Sequence, residues 1–280
     1  MRDINKKIMF IMWAVVAVFL VVILTTRKVT IKERSFEYSD DGITINIGSS
    51  GSQIIPATAE DFNKTYTFAG SDLRNMEISL VSADVILEPG DGDEIVVAVN
   101  GNGWHRENEP IVSYEKKTLS LKTPKDAYKN KTYQGSRIVT VKVPVAASKS
   151  FLDAEIATVS GLISTSGISY DTLTAESVSG DIVVADAVRS AECETVSGDV
   201  TFETIEPLSD NSRFNSVSGN ISLRLPSDSS FNLNWATLSG SVRNGFSSGK
   251  AERSGSFSAG NGKPKISMET VSGNIRVTKN

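Results

Sequence analysis

The C-terminal half of the chain repeats one short pattern of apolar and polar residues around a glycine. Four copies read Val-Ser-Gly, then Asp or Asn, then Ile or Val, and they occupy residues 178–182, 196–200, 217–221 and 271–275. Looser copies, with Leu or Ser after the glycine, lie at 159–163 and 238–242. The six glycines, separated by 19, 18, 21, 21 and 33 residues, are Gly161, Gly180, Gly198, Gly219, Gly240 and Gly273. A recurring period with apolar residues at matching offsets predicts a solenoid, which is a stack of similar coils.

Within each copy, apolar and polar residues alternate, which predicts a β-strand with one buried face. The alternation predicts that the valine, the glycine and the isoleucine point inward, while the serine and the Asp or Asn point outward. Upstream, apolar residues such as Ala191 and Cys193 have the opposite parity, so we place a corner at the Glu194-Thr195 pair. Each copy is then one coil: a short strand, a corner, a second strand through the glycine, and a variable return. A glycine on the inner face would let a neighbouring coil approach closely.

Stacked coils would place like residues above like at about 4.8 Å, the spacing of paired strands. Each buried Val, Ile or Phe would contribute roughly 1.5–3 kcal/mol, and no coil could bury its inner face alone. The alternative is a sandwich of ordinary hairpins in which the tripeptide recurs by chance. Agreement among several apolar offsets favours the solenoid, so the predicted fold class is all-β, a single-stranded β-helix.

A degenerate copy precedes the regular coils. Residues 81–87 read Val-Ser-Ala-Asp-Val-Ile-Leu, with Ala83 in the glycine position, and we interpret them as part of the first layer of the solenoid. The long gap before the last copy contains several Asn-Gly and Ser-Gly pairs that are typical of hairpins and loops. At the end of the chain, the charges of Arg276 and Lys279 are expected to protect an open strand edge from pairing.

An uncharged apolar run at residues 8–24 predicts a transmembrane helix. With Thr25 and Thr26 the run reaches 19 residues, and a helix of that length spans about 28 Å, close to the ~30 Å hydrocarbon core of a bilayer. A cleaved signal peptide would have a shorter run and a small-residue cleavage site, whereas this run ends in Thr-Thr-Arg-Lys. We therefore expect an uncleaved signal anchor within residues 1–26, a juxtamembrane stalk at 27–65 and the solenoid at 66–280.

Charge bears on orientation and on partners. Basic residues flank the apolar run on both sides, so the positive-inside rule does not decide its orientation. A short basic head usually stays in the cytoplasm, which would place the solenoid outside the cell membrane on a single-pass anchor. The first 34 residues hold seven of the 29 Lys and Arg and two of the 33 Asp and Glu residues, which leaves 22 basic and 31 acidic groups and a net charge of −9. That charge argues against nucleic-acid binding and against a domain that lies flat on an anionic membrane.

Few residues offer catalytic or redox chemistry. His105, the only histidine, lies in a Gly-rich turn, and we interpret it as a surface loop residue. Cys193, the only cysteine, has an inward offset and is predicted to be a small core residue. No cofactor and no Cys/His metal cluster is predicted.

Carboxylates are the remaining candidates for chemistry. Asp181 and Asp199 would lie outward on adjacent coils, where paired carboxylates could bind Ca²⁺ or serve glycoside hydrolysis. Asp91 and Asp93, in a Pro-Gly-Asp-Gly-Asp turn, are the other weak Ca²⁺ candidates. The Asp position also holds Asn, Ser and Leu in other copies, so a hydrogen bond to the backbone explains it better than a need for charge.

The repeated Val-Ser-Gly-Asp-Ile phrase resembles the bacterial putative-adhesin family of LiaG-like and head-GIN-like solenoids. The likeness extends to Leu-Val-Ser-Ala-Asp-Val at 80–85, Pro-Gly-Asp at 89–91 and Val-Thr-Val-Lys-Val-Pro at 139–144, and it covers about 65–280. The resemblance implies a right-handed β-helix on the cell envelope, often behind one N-terminal span, with no assigned enzymatic activity. Some relatives are linked to envelope-stress systems, and the family supplies no catalytic residues. Leu162, Ser241 and the doubled Thr-Ser-Gly-Ile at 165–168 depart from its pattern.

Two functions remain open. The first is a non-enzymatic, membrane-anchored envelope protein whose extracytoplasmic solenoid binds a protein or a surface polysaccharide, or assists a stress system. The second is a glycan hydrolase or lyase that uses stacked carboxylates. An enzyme would need a groove where acids and bases from several coils converge, whereas flat ladders of polar residues would favour a binding protein.

Overall fold

The structure is a computed structural model that describes residues 34–39, 42–47, 62–101, 109–124, 137–247 and 252–280. These residues form twenty strands and one four-residue helix, α1 (Val145–Ser148), so the predicted all-β class is confirmed. The strands are β1 (Arg34–Ser39), β2 (Gly42–Ile47), β3 (Phe62–Ala69), β4 (Asn75–Ser82), β5 (Asp84–Pro89), β6 (Glu94–Gly101), β7 (Ile111–Glu115), β8 (Thr118–Lys122), β9 (Arg137–Val143), β10 (Leu152–Ser160), β11 (Ile163–Ser179), β12 (Ile182–Ser197), β13 (Val200–Thr204), β14 (Ser212–Ser218), β15 (Ile221–Leu225), β16 (Phe231–Ser239), β17 (Val242–Asn244), β18 (Ser254–Ala259), β19 (Lys265–Ser272) and β20 (Ile275–Lys279).

The predicted membrane anchor at 8–24 lies outside the described residues. Within those residues, no helix has the length and apolar character that a membrane crossing requires. In the predicted stalk, β1 and β2 pair antiparallel as a two-stranded sheet of their own. The other eighteen strands belong to one sheet.

Parallel pairing stacks the copies into coils, as the repeat predicts. We call each coil by its glycine, and we call the strands before and after the glycines the first wall and the second wall. Neighbours in the first wall run β8, β4, β10, β11, β12, β14, β19 and β16. Neighbours in the second wall run β9, β5, β11, β12, β13, β15, β20 and β17. The long strands β11 and β12 serve the second wall of one coil and then the first wall of the next.

The apolar side chains that both walls turn inward form one continuous core. In the second wall, Val184, Phe202 and Leu223 stack in register and are at most 1% exposed. In the first wall, Cys193 lies beside Phe214, and both are fully buried. This column of Val, Leu and Phe is the dry interior that the period-two pattern predicts. The right-handed sense implied by the family resemblance stays a prediction.

The spatial order of the coils differs from their order in the chain. The last coil, β19–β20, lies between the Gly219 coil and the Gly240 coil, because β19 pairs with both β14 and β16. The long gap before the last copy makes this order possible, since it contains β18, which pairs antiparallel with β16. The expectation that Arg276 and Lys279 protect an open edge is therefore wrong, because β20 is hydrogen-bonded to β15 on one side and β17 on the other.

The opposite end of the sheet departs from the regular repeat. The degenerate copy forms β4 and β5, which pair with β10 and β11 and so constitute a layer of the stack, as predicted. Beyond them, β3, β6 and β9 are joined antiparallel, and β7 and β8 form a hairpin. These antiparallel strands complete the sheet where the 20-residue period is absent.

The predicted direction of the repeat valine is wrong. In β12 the alternation continues without a break through the Glu-Thr pair, so that Ala191, Cys193 and Thr195 are buried. Val196 is only half-buried and points outward, and the register places it beside Val217 on the next coil. The chain turns at the Ser-Gly step, where β12 ends at Ser197. The valines are therefore aligned, but along the outside of the stack.

Candidate functional site

The glycine corners form a column in which the backbones of successive coils touch. A Cβ atom on Gly180, Gly198 or Gly219 would lie within 3.0 Å of the carbonyl oxygen of the glycine one coil earlier. In the same way, a Cβ on Gly273 would meet the carbonyl oxygen of Gly219, and a Cβ on Gly240 would meet the carbonyl oxygen of Gly273. Real Cβ atoms essentially never show such separations, so a larger residue at these positions would force the backbones of two coils apart. Ala83 begins this column, and Gly161 faces its carbonyl oxygen.

A column of buried hydroxyl groups binds the same carbonyl oxygens. Thr195 Oγ1 donates to Gly180 O at 3.1 Å, and Ser216 Oγ donates to Gly198 O at 3.1 Å. Thr270 and Thr237 donate to Gly219 O and Gly273 O at 3.0 and 2.9 Å. This hydrogen bond explains why the pattern buries Thr or Ser three residues before the glycine and leaves the valine outside. Ser177 departs from the rule, since its buried hydroxyl has no hydrogen-bond partner in the described chain.

The Asp or Asn after the glycine forms a second ladder on the outside. The N–H of Asp199 donates to Asp181 Oδ1 at 2.8 Å, and the N–H of Asn220 donates to Asp199 Oδ1 at 2.7 Å. Asn274 N donates in turn to Asn220 Oδ1 at 3.0 Å. Each rung needs a side-chain oxygen that accepts a backbone N–H, which Asp and Asn supply equally well. Ser241 occupies the last coil of the column, where no further coil needs an acceptor, and its N–H donates to Asn274 Oδ1 at 2.9 Å.

The predicted Ca²⁺ ligands divide between two places. Asp181 and Asp199 lie on adjacent coils, as predicted, but an oxygen of each accepts a backbone N–H of the next coil. Asp91 and Asp93 lie in the exposed turn between β5 and β6, which belongs to the layer formed by the degenerate copy around Ala83. Across the ranges that the structure describes, no three His, Cys, Asp or Glu side chains gather closely enough to hold a metal ion. Calcium binding therefore stays a prediction without a ligand set.

The sequence contains one histidine, His105, and one cysteine, Cys193, and the structure describes only the cysteine. His105 lies outside the described residues. Cys193 is fully buried in the core, as its offset predicts, and burial together with Glu192 and Glu194 raises the pKa of its thiol.

Sequence reasoning missed a column of glutamates on the outer face of the first wall. Glu176 stacks beside Glu194 in register, followed by Asn215 and Glu269 on the next coils. Partial burial, then the charges of Glu194, Glu192 and neighbouring glutamates, raise the pKa of Glu176. Burial also raises the pKa of Glu194, although Asn215 Nδ2 donates to its Oε1 at 2.7 Å and opposes the shift. The signal in the sequence is the Glu194-Thr195 pair, at which the change in parity of the apolar residues predicted a corner.

A buried polar cluster was also missed. Asp186 is 1% exposed, and its Oδ1 accepts the N–H of Ile168 at 2.8 Å. Burial raises the pKa of Asp186 to about 6, although the Ile168 N–H and the nearby Thr165 hydroxyl act in the opposite direction. Thr165 Oγ1 lies 2.6 Å from the hydroxyl of the fully buried Tyr170. The signal was the doubled Thr-Ser-Gly-Ile, because a register shift between Ser166 and Ser169 turns the Ile168 N–H toward Asp186.

The outer surface of the corner carries an aliphatic column. One branched residue per coil lies two positions before the glycine and is half-buried or exposed; these residues are Val159, Val178, Val196, Val217, Val271 and Leu238. Cross-strand pairs of β-branched residues stabilise sheets, so this column contributes to stacking without entering the core. The outer face of the corner thus carries two aligned columns, one of branched aliphatic residues and one that consists mainly of Asp and Asn.

Several solved structures are similar to this chain. A "putative cell adhesion protein" from Clostridium sporogenes has 11% identity and a TM-score of 0.51, with 79% of this chain and 100% of that chain covered. A "putative adhesin" from Bacteroides fragilis has 11% identity and a TM-score of 0.38, with coverage of 78% and 97%. A "putative lipid binding protein" from Parabacteroides distasonis has 17% identity and a TM-score of 0.33, with coverage of 77% and 96%. The likeness to the Clostridium protein concerns the fold alone, and the lower TM-scores of the others add nothing to it.

No curated protein matches the chain. The model of one protein family matches it twice, over residues 73–206 and again over residues 149–278. The two overlapping matches include the degenerate first layer and every glycine coil of the stack. The chain therefore belongs to the Toastrack family, DUF4097.

Proposed function

We propose that this chain is a non-enzymatic binding protein of the bacterial cell envelope. Its solenoid would stand outside the cytoplasm, tethered by the apolar segment at 8–24, and would present one flank to a protein or a surface polymer. Repeat proteins commonly bind partners on such extended surfaces. A role in adhesion or in an envelope-stress system is the finer form of this proposal.

The observation that carries the proposal is the ladder of Asp and Asn residues. A glycan-cleaving enzyme would need carboxyl groups that are free to protonate a leaving group or to attack. Oδ1 of Asp181 and Oδ1 of Asp199 instead accept backbone N–H groups at 2.8 and 2.7 Å. Asn220 Nδ2 also contacts both oxygens of Asp199, at 3.2 and 3.3 Å. These carboxylates serve the backbone of the stack, which supports a binding surface over a stacked-carboxylate hydrolase or lyase.

The location can be tested on intact cells. We expect external protease to remove the solenoid while the N-terminal segment stays with the membrane fraction, and antibodies against each part would follow them separately. A solenoid that stays protected until the cells are lysed would contradict the proposed orientation.

The binding role can be tested with the full-length chain and isolated cell-envelope material. We expect the chain to sediment with that material and to release no products from a panel of polysaccharides. Turnover that disappears in the Asp181→Asn and Asp199→Asn variants would show that the chain is a glycan-cleaving enzyme and would overturn the proposed binding role.

A further inference from the structure

The outer face of the second wall changes its charge along the stack. In the Gly180 and Gly198 coils, the ladder residues are Asp181 and Asp199. In the next three coils, the same position holds the neutral residues Asn220, Asn274 and Ser241. This neutral half of the ladder borders a set of basic side chains.

The second strands of those three coils carry only basic charges. Residues 220–225, 274–279 and 241–244 include no Asp or Glu. We call their four cations the basic face: Arg224, Arg243, Arg276 and Lys279. All four are exposed on a domain whose net charge from residue 35 onward is −9. Four cations therefore gather on one face of a domain that is negatively charged as a whole.

Two of the arginines lie directly opposite each other. Arg243 of β17 pairs in register with Arg276 of β20, and like charges opposite each other on neighbouring strands are destabilising. Neither arginine makes an ion pair within the described chain, whereas Arg224 lies 3.4 Å from Glu203. Edge protection could account for Arg243 on the outermost strand, but β20 is paired on both sides, so it does not account for Arg276.

The basic face adjoins a half-open depression on the protein surface. Its volume is about 430 Å³, and three cations, one carboxylate that is paired with Arg224, three hydroxyl groups and Phe202 line it: Arg224, Arg276, Lys279, Glu203, Thr201, Ser222, Thr278 and Phe202. The planar guanidinium group donates paired hydrogen bonds to phosphate or carboxylate oxygens. Hydroxyl groups between the cations can donate to the same anions.

We propose that the basic face binds a linear anionic polymer whose repeating charged groups are phosphates or carboxylates. Arg224, Arg276 and Arg243 lie on three successive coils, about 4.8 Å from one coil to the next, and Arg224 is two positions along its strand from the row that holds Arg276 and Arg243. The cations would therefore meet successive groups of an extended chain that crosses the coils obliquely. This inference rests on the proposed binding function and names the class of partner.

The test compares two double variants of the full-length chain in neutral detergent. R243Q/R276Q removes two charges from the basic face. R189Q/R213Q removes two exposed arginines that pair with Asp171 at 2.9 Å and Glu192 at 3.6 Å, so it has the same net charge. Binding is measured by fluorescence anisotropy with labelled inorganic polyphosphate, polygalacturonate and neutral dextran.

We expect the wild-type chain to bind at least one of the two polyanions, more weakly as salt screens the charges. R243Q/R276Q should bind about tenfold more weakly or worse, while R189Q/R213Q stays close to wild type. Preference for polyphosphate or polygalacturonate identifies the charged group. Equal binding by both double variants, or equal binding to the polyanions and to dextran, would overturn the inference.

The same experiment separates this inference from the proposed function. A chain that sediments with envelope material but binds neither polyanion would exclude the polymer class and leave the binding role intact. A chain that binds neither envelope material nor polyanions would remove both.

Discussion

The glycine column makes a sharp prediction for Gly198→Ala. The new Cβ would lie closer than 3.0 Å to both the carbonyl oxygen and the carbonyl carbon of Gly180, and 3.1 Å from Thr195 Oγ1. The two closest atoms belong to the backbone, which cannot rotate away as a flexible side chain could. The substitution must therefore move the Gly180 and Gly198 coils apart at the corner.

The size of the effect follows from the movement. Restoring ordinary contact requires the corner to open by about 1 Å. The hydrogen bonds from Ile182 N to Asp199 O, now 2.9 Å, and from Thr195 Oγ1 to Gly180 O, now 3.1 Å, would then exceed hydrogen-bonding distance. Overpacking costs roughly 1–3 kcal/mol, and each lost hydrogen bond adds about 1 kcal/mol. Alanine lowers the entropy of the unfolded chain, which offsets about 0.4–1 kcal/mol, so we expect a net loss of about 2–5 kcal/mol.

Gly92→Ala is the matched control, because nothing lies within 4 Å of a Cβ built on Gly92. Urea unfolding of the full-length chain, followed by circular dichroism, gives the free energy of unfolding for both variants. Gly92→Ala should leave it unchanged or raise it by up to about 1 kcal/mol. If Gly198→Ala were as stable as Gly92→Ala, the close approach of the coils could not be the reason for the repeated glycine.

Other substitutions test the hydroxyl column, the outer ladder and the buried cluster. Thr195→Val should lower the free energy of unfolding by about 1–3 kcal/mol, because it keeps the shape of the side chain but leaves Gly180 O without its hydroxyl donor. Thr195→Ser keeps the hydroxyl group and should cost much less. Equal urea midpoints for the two variants would exclude a stabilising role for this hydrogen bond. Asp199→Ala should lower the free energy of unfolding by about 1 kcal/mol and Asp199→Asn by less than half of that, because only Asn keeps an oxygen that accepts the Asn220 N–H. Similar losses in the two variants would indicate that the negative charge matters more than the acceptor oxygen. The pKa of Asp186 is raised from 3.8 to about 6, so the folded state holds the carboxyl proton more tightly than the unfolded state. As pH rises from 4 to 7, the free energy of unfolding of the wild-type chain should therefore fall by up to about 3 kcal/mol relative to that of Asp186→Asn. Thermal melts of both proteins across that range measure the difference, and parallel curves would contradict a buried carboxyl that titrates there.

The strands and the repeat could be predicted from the sequence because both depend on local chemistry. Alternating apolar and polar residues specify a strand, and recurrence of the alternation around Gly180, Gly198 and Gly219 specifies a stack. The inward position of Cys193 followed from its offset alone. The preference for Asp or Asn over other residues after the glycine was enough to indicate a backbone role, since only the acceptor oxygen is common to both.

The inward or outward direction of the valine could not be inferred in this way. Hydrophobicity assigns Val196 to the core and Thr195 to the surface, and the structure has the reverse. The decisive atom is Gly180 O on the neighbouring coil, which accepts the Thr195 hydroxyl. A buried threonine is stable only with such a partner, and the partner is 15 residues away in the chain.

Contacts between distant segments also decided the order of the coils and the surfaces that depend on it. The sequence alone determined an all-β chain of similar coils with a recurring glycine, because those features are written within each repeat, whereas it placed the corner at the Glu194-Thr195 pair and only the structure moved it to the Ser-Gly step. The tertiary structure decided that the Gly273 coil lies inside the stack, since pairing of β19 with both β14 and β16 satisfies its backbone on both sides. That insertion brings Arg276 between Ser222 and Arg243, and it creates a basic face from residues that no single repeat contains.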